Sequence, residues 1–110
     1  MWSDIEDAVW RELGGYYLDE DMPLMPDEAS KQAFLDRAAS GSAWRLRQRL
    51  KGQQRADAAA LLRAIAANPE AHPVMDQVLR VGQYDWFRDR EQRALLTALL
   101  HAIAYRIDGE

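Results

Sequence analysis

The chain of 110 residues contains no cysteine, which excludes disulfide bonds and thiolate metal ligands. It also lacks a long apolar run. The most apolar segment, residues 94–105, includes Thr97 and His101 and is shorter than the roughly 20 residues of a membrane-spanning helix. Residues 1–10 have neither the basic start nor the apolar centre of a secretory signal. We therefore expect a cytoplasmic protein that has no contact with a membrane.

Catalytic motifs are missing as well. No serine lies in a Gly-x-Ser-x-Gly sequence, no glycine-rich phosphate loop is present, and His72 and His101 have no partner at helical spacing. Asp19, Glu20 and Asp21 carry the oxygen ligands that a hard cation prefers, but the glycine and the final glutamate of a calcium loop are absent. We expect no enzymatic activity, no cofactor and no metal site.

Charge is distributed unevenly along the chain. Residues 1–36 hold ten acidic and two basic residues, a net charge of −8, whereas residues 37–110 have a net charge of +4. In one interpretation the two parts neutralise each other in the fold. In the other, the acidic part faces a cationic partner.

The composition, 48% hydrophobic and 29% charged, is that of a globular domain. Apolar residues recur at helical spacing, and no segment shows the alternation of a strand. The predicted fold class is all-α, a single domain over residues 1–110 with five to six short helices packed as a bundle or orthogonal array. The helices are predicted at residues 4–13, 28–39, 43–51, 55–67, 73–81 and 90–106.

Two helix starts carry specific capping signals. Ser3 and Glu6 form a capping box before the first helix, and Asp27 is the predicted N-cap of the second. Ser42 is predicted to cap the third helix. The last helix is predicted to be the central core helix because it carries a continuous apolar stripe, Leu96, Leu99, Leu100, Ile103 and Ile107.

Helix ends are predicted from glycine and proline. Residues 14–15, both glycine, are expected to end the first helix, and the Ser-Gly pair at 40–41 is expected to break the second. Gly52 is expected to end the third, and Asn-Pro at 68–69 to end the fourth.

Residues 14–28, GGYYLDEDMPLMPDE, are predicted to be a non-helical stretch, with the connector between helices at residues 16–26 and the partner-facing part at residues 19–28. Tyrosine gives a large contact area at low entropy cost, and carboxylates speed association with a cationic partner. In the alternative interpretation the tyrosines cap the core and the acids keep the loop solvated. The predicted partner-binding residues are Tyr16, Tyr17, Asp19, Glu20, Asp21, Asp27 and Glu28.

A basic segment, residues 43–51, offers a second surface. It contains Trp44 together with bases at positions 45, 47, 49 and 51, and Arg37 and Arg55 extend the basic segment on either side. Such a surface could contact nucleic acid or an acidic protein. Bases two residues apart point in different directions on a helix, and the isoelectric point is near 5.1. Pairing with acids elsewhere in the fold is therefore favoured over nucleic-acid binding.

The order of motifs in residues 5–51 resembles the small α-helical immunity proteins of contact-dependent growth inhibition systems. The resemblance lies in Gly15-Tyr16-Tyr17 after a short helix, the acids at 19–21, a proline-containing gap, Ala33-Phe34-Leu35, and a helix with Leu46 and Leu50. The Gln-Asp-Trp usual in that family is replaced here by Glu20-Asp21-Met22.

The resemblance implies a cytoplasmic protein that binds and blocks the C-terminal toxin domain of a cognate CdiA-type effector. Such toxins are commonly nucleases, and many are basic, so an acidic inhibitor surface would complement them. The remaining alternative is a helical adaptor or regulator that binds nucleic acid or an acidic protein through helix 43–51.

Overall fold

A computed structural model describes residues 3–17, 27–68 and 90–108, and for residues 14–17 and 90–93 it describes only the backbone. Every secondary-structure element in these ranges is a helix, which confirms the all-α class. The four helices are α1 (Asp4–Tyr17), α2 (Glu28–Arg49), α3 (Gln53–Ala67) and α4 (Arg90–Asp108). The helix predicted at residues 73–81 lies outside the described residues. Within the described ranges, every helix is too short or too polar to span a lipid bilayer.

Helix α1 begins with the predicted capping box. The Ser3 amide donates to Glu6 Oε1 at 3.2 Å, and the Glu6 amide donates to Ser3 Oγ at 3.1 Å. The predicted stop at residues 14–15 is wrong, because the helix continues through both glycines to Tyr17. Glycine permits a helix to end but does not require it, and each helical glycine costs only about 1 kcal/mol relative to alanine.

Helix α2 begins where the sequence predicts. Asp27 is its N-cap, and Asp27 Oδ1 accepts a hydrogen bond from the Ser30 amide at 2.7 Å. The predicted break at residues 40–41 and the predicted cap at Ser42 are wrong, because one helix runs from Glu28 to Arg49.

The small residues at 40–42 make contacts between helices instead of ending one. Ser40 Oγ accepts a hydrogen bond from Arg106 Nε of α4 at 3.2 Å, and Ser42 Oγ donates to Glu12 Oε1 of α1 at 2.9 Å. Between them, a Cβ added to Gly41 would lie 3.4 Å from Arg45 Nη1. Tertiary contacts therefore override the local preference of serine and glycine for helix ends.

The link between α2 and α3 turns at Gly52, which has φ +57° and ψ −128° and precedes the first residue of α3. Arg55 fastens this turn: its Nε donates to the Leu50 carbonyl at 2.9 Å and its Nη2 donates to the Arg47 carbonyl at 2.8 Å. These carbonyls belong to the C-terminal end of α2, where a cation is favoured by the helix dipole. Helix α3 ends at Ala67, as Asn-Pro at 68–69 predicts.

Helix α4 is the core helix that its apolar stripe predicts. Its stripe residues are between 0% and 6% exposed, and the helix packs against both α2 and α3. Helix α1 adds Val9 and Leu13 to the same core, and α3 adds Leu62 and Ile65. Burying one such side chain contributes about 1.5–3 kcal/mol, so this shared core is the main source of stability.

An ion pair fixes the C-terminal end of α4 to α3. Arg63 donates from Nη1 and Nη2 to the two oxygens of Asp108, at 2.9 and 2.7 Å. These hydrogen bonds from Arg63 hold the pKa of the Asp108 carboxyl below its usual range.

Replacing Gly41 with alanine is expected to stabilise the protein by about 0.5–1 kcal/mol, because alanine favours the interior of a helix. The added Cβ would meet only the flexible end of Arg45, at an ordinary contact distance. The free energy of unfolding in urea measures the effect.

Gly52→Ala is the matched control. Its Cβ would meet nothing within 4 Å, but L residues rarely adopt the positive φ of Gly52, so we expect a loss of about 1–3 kcal/mol. A loss of stability in Gly41→Ala as large as that in Gly52→Ala would contradict a helical conformation at residue 41.

Candidate functional site

The predicted partner-binding residues fall into three groups. Asp19, Glu20 and Asp21 lie outside the described residues. Tyr16 and Tyr17 form the last turn of α1, so the prediction that the connector begins at residue 16 is wrong. Asp27 and Glu28 lie at the start of α2.

Asp27 and Glu28 have different environments at the start of α2. The backbone amide of Ser30, with a further hydrogen bond from its side chain, lowers the pKa of the Asp27 carboxyl, so Asp27 has a structural role as the cap. The Glu28 side chain is 91% exposed and, within the described ranges, pairs only with Lys31, at 3.4 Å and one turn along the helix. Both carboxylates are exposed, and Glu28 is the one that is not used to cap the helix.

Glu28 also lies at the edge of a groove between α2 and α4, about 340 Å³ in volume. The polar side of this α2–α4 groove consists of Glu28, Lys31 and Gln32. Its apolar side consists of Leu35, Ala94, Leu95 and Ala98. Apolar surface bordered by charged residues is the usual arrangement of a protein–protein interface.

A buried carboxylate holds α1 against α2. The Glu12 side chain is 7% exposed, and Oε1 accepts hydrogen bonds from Ser42 Oγ at 2.9 Å and from Arg45 Nε at 2.9 Å. Arg45 Nε also lies 3.0 Å from Oε2, and Arg45 Nη2 lies 2.8 Å from Oε1. Burying a carboxylate is costly unless it is paired and hydrogen-bonded, and Glu12 is both.

The sequence gives no signal for this cluster, because Glu12 is separated from Ser42 by 30 residues and from Arg45 by 33. In this cluster Arg45, one base of the segment 43–51, pairs with an acid inside the fold. Along α1, Tyr16 and Tyr17 come about one turn after Glu12.

A second cavity, of about 440 Å³, lies where the C-terminal half of α2 meets α3 and α4. We call it the tryptophan cleft, because Trp44 at its edge is 65% exposed. Its polar and aromatic lining consists of Ser40, Trp44, Arg47, Gln48, Arg55 and Arg106. Sequence reasoning placed Trp44, Arg47 and Arg55 in one basic segment but missed Arg106, which comes from α4.

The two interpretations of the uneven charge each describe part of the molecule. Glu12 and Asp36, both from the acidic part, pair with Arg45 and Arg106 of the basic part. Among the described residues, Glu28 pairs only with Lys31 of its own helix. Internal neutralisation therefore uses some of the described acids and leaves Glu28 accessible.

The described helices contain no cluster of side chains that could bind a metal ion. Among the residues that the structure describes, no three potential ligands of the His, Asp and Glu types come together. His101 is exposed on α4, away from the core stripe. Because residues 19–21 and His72 lie outside the described ranges, the absence of a metal site stays a prediction.

Comparisons of the chain with protein-family models, with curated proteins and with solved structures give no match. Function is therefore inferred from the surfaces described above and from the resemblance in residues 5–51.

Glu12→Gln is expected to destabilise the protein by about 1–3 kcal/mol, because an amide group cannot accept all the hydrogen bonds that Ser42 and Arg45 donate. The loss should be smaller than for a fully buried pair, since the Arg45 side chain is 49% exposed and can turn to water. Urea unfolding measures it.

Asp7→Asn is the matched control on the same helix. Asp7 pairs with Arg11 at 2.9 Å, but both side chains are about half exposed, so the expected loss is only about 0.5 kcal/mol or less. Equal losses of unfolding free energy in Glu12→Gln and Asp7→Asn would show that the buried Glu12–Arg45 pair stabilises the protein no more than an exposed pair does.

Proposed function

We propose that this protein is an immunity protein of a contact-dependent growth inhibition system, a single helical domain over residues 1–110 that acts in the cytoplasm. It binds the C-terminal toxin domain of a cognate CdiA-type effector and blocks its activity. The proposed role is one of binding without catalysis, and it requires no cofactor.

The observation that carries the proposal is the position of Glu28. Its exposed carboxylate borders the apolar side of the α2–α4 groove, formed by Leu35, Ala94, Leu95 and Ala98. Apolar contact there would supply affinity, while the carboxylate would orient a cationic partner and speed its approach. A basic nuclease domain has the complementary charge.

The charge of residues 1–36 supports the same partner. This part of the chain has a net charge of −8, and the described pairs with bases of residues 37–110 involve only Glu12 and Asp36. An inhibitor that presents carboxylates to a nuclease would compete with the phosphates of its substrate, because both seek the same basic surface. A nuclease toxin is therefore the partner class that we propose.

The proposal predicts that a large secreted effector is encoded immediately upstream of this protein, and it is tested by co-expression with the C-terminal domain of that effector. We expect the two chains to co-purify and the cells to survive the toxin. Failure of the purified protein to bind that domain would contradict the proposed function.

Glu28→Lys is expected to slow association with the toxin domain by about two- to fivefold at low salt, because charges at the edge of an interface act mainly on the association rate. The difference should disappear at about 0.5 M salt, where such charges are screened. Stopped-flow or surface-binding kinetics measure the rate.

Asp57→Lys is the matched control. Asp57 is an exposed carboxylate on α3 that accepts a hydrogen bond from Gln53 and does not line the α2–α4 groove. The substitution changes the net charge equally, so a general charge effect would slow both variants. Equal association rates for Glu28→Lys and the unaltered protein would contradict the proposal that Glu28 lies on the binding surface.

A further inference from the structure

The tryptophan cleft brings together positive charge from three helices. Arg47 comes from α2, Arg55 from α3 and Arg106 from α4, and none of the described residues that line the cleft is acidic. This concentration contrasts with the negative net charge of the chain. A small concave site lined by one sign of charge attracts ligands of the opposite sign.

Arg55 is fixed by neutral acceptors. Its guanidinium donates to the carbonyls of Leu50 and Arg47, and these two bonds occupy only two of its five N–H groups. The remaining N–H groups can donate to an anion at no further cost in side-chain entropy, because the group is already held in place.

Arg106, which also lines the cleft, is held by hydrogen bonds within the fold. Its Nε donates to Ser40 Oγ at 3.2 Å and its Nη1 donates to the Ala102 carbonyl at 3.3 Å. Its Nη2 lies 3.3 Å from Asp36 Oδ1, a carboxylate whose side chain is 59% exposed. Asp36 therefore compensates the charge of Arg106 only in part, through one long contact.

Trp44 supplies a flat ring beside these cations. With 65% of its surface exposed, it contributes little to the core, although most tryptophans in folded proteins are largely buried. An exposed indole is a stacking surface for a nucleobase, and an amide such as that of Gln48 can donate to and accept from the edge of the base.

We infer that the tryptophan cleft binds a nucleotide, with the base on Trp44 and the phosphate between Arg55 and Arg106. The volume of about 440 Å³ lies within the range of small-ligand sites. The exposed indole of Trp44 beside the arginines favours a nucleotide over an acidic protein, because an acidic protein offers charge but no base to stack on the ring. The inference does not depend on toxin binding.

The test is an NMR titration of the ¹⁵N-labelled full chain with adenosine monophosphate. The chain has four tryptophans, and we expect one indole N–H signal to shift: the signal that is missing in Trp44→Ala. Affinity should fall about tenfold or more in Trp44→Ala, as expected for the loss of base stacking, and should recover partly in Trp44→Phe.

Tyr105→Ala is the control, because Tyr105 is 61% exposed on α4 but does not line the cleft. It should bind adenosine monophosphate like the unaltered chain. Circular dichroism of each variant tests whether the helices are retained.

A labelled single-stranded RNA tetranucleotide distinguishes a free nucleotide from a nucleotide within an RNA strand as the ligand. Similar affinity for both probes would support a free nucleotide, and much tighter, salt-sensitive binding of the RNA would support a strand. The inference is overturned by the absence of binding at millimolar concentration, by equal affinity in Trp44→Ala, by equal affinity for inorganic phosphate alone, or by tighter binding of an oligoglutamate peptide.

Discussion

The buried carboxylate of Glu12 is the constraint on which the arrangement of α1 and α2 depends. A carboxylate that is 7% exposed needs strong partners, and it finds them in Ser42 and Arg45. These two residues are three positions apart, so they face the same way only if residues 42–45 are helical. In the structure the same helix also runs through residues 40 and 41, and this continuity places Ser40 against Arg106 and Trp44 beside the cleft.

Features that depend on neighbouring residues could be predicted from the sequence. The capping box at Ser3, the cap at Asp27 and the buried stripe of α4 each follow from a few adjacent positions, and the structure confirms all three. The predicted stop at 14–15 and break at 40–41 failed because glycine and serine allow several conformations. At residues 40–42 the helix is held by contacts with residues 30 and 66 positions away.

The same distinction separates the two candidate surfaces. Glu28 could be predicted from the sequence as a partner-binding residue, because it lies beside the helix cap. Its apolar neighbours in the groove, Ala94 and Leu95, could not, because they come from α4. The tryptophan cleft could be predicted only in part. Trp44, Arg47 and Arg55 lie in one basic segment, but Arg106 comes from α4, and the bases of segment 43–51 diverge, Arg45 toward Glu12 and Arg47 toward the cleft. The protein thus presents two surfaces with different chemistry: one with an accessible carboxylate beside apolar side chains, and one with arginines beside an exposed indole.

The most direct test of this account is to map the toxin domain on the ¹⁵N-labelled protein by NMR. We predict that amide signals of the α2–α4 groove, such as those of Glu28, Lys31 and Leu95, shift or broaden on binding. Signals of Trp44 and Gln48 should stay unchanged. Changes confined to the tryptophan cleft, with the groove signals unaffected, would contradict the account.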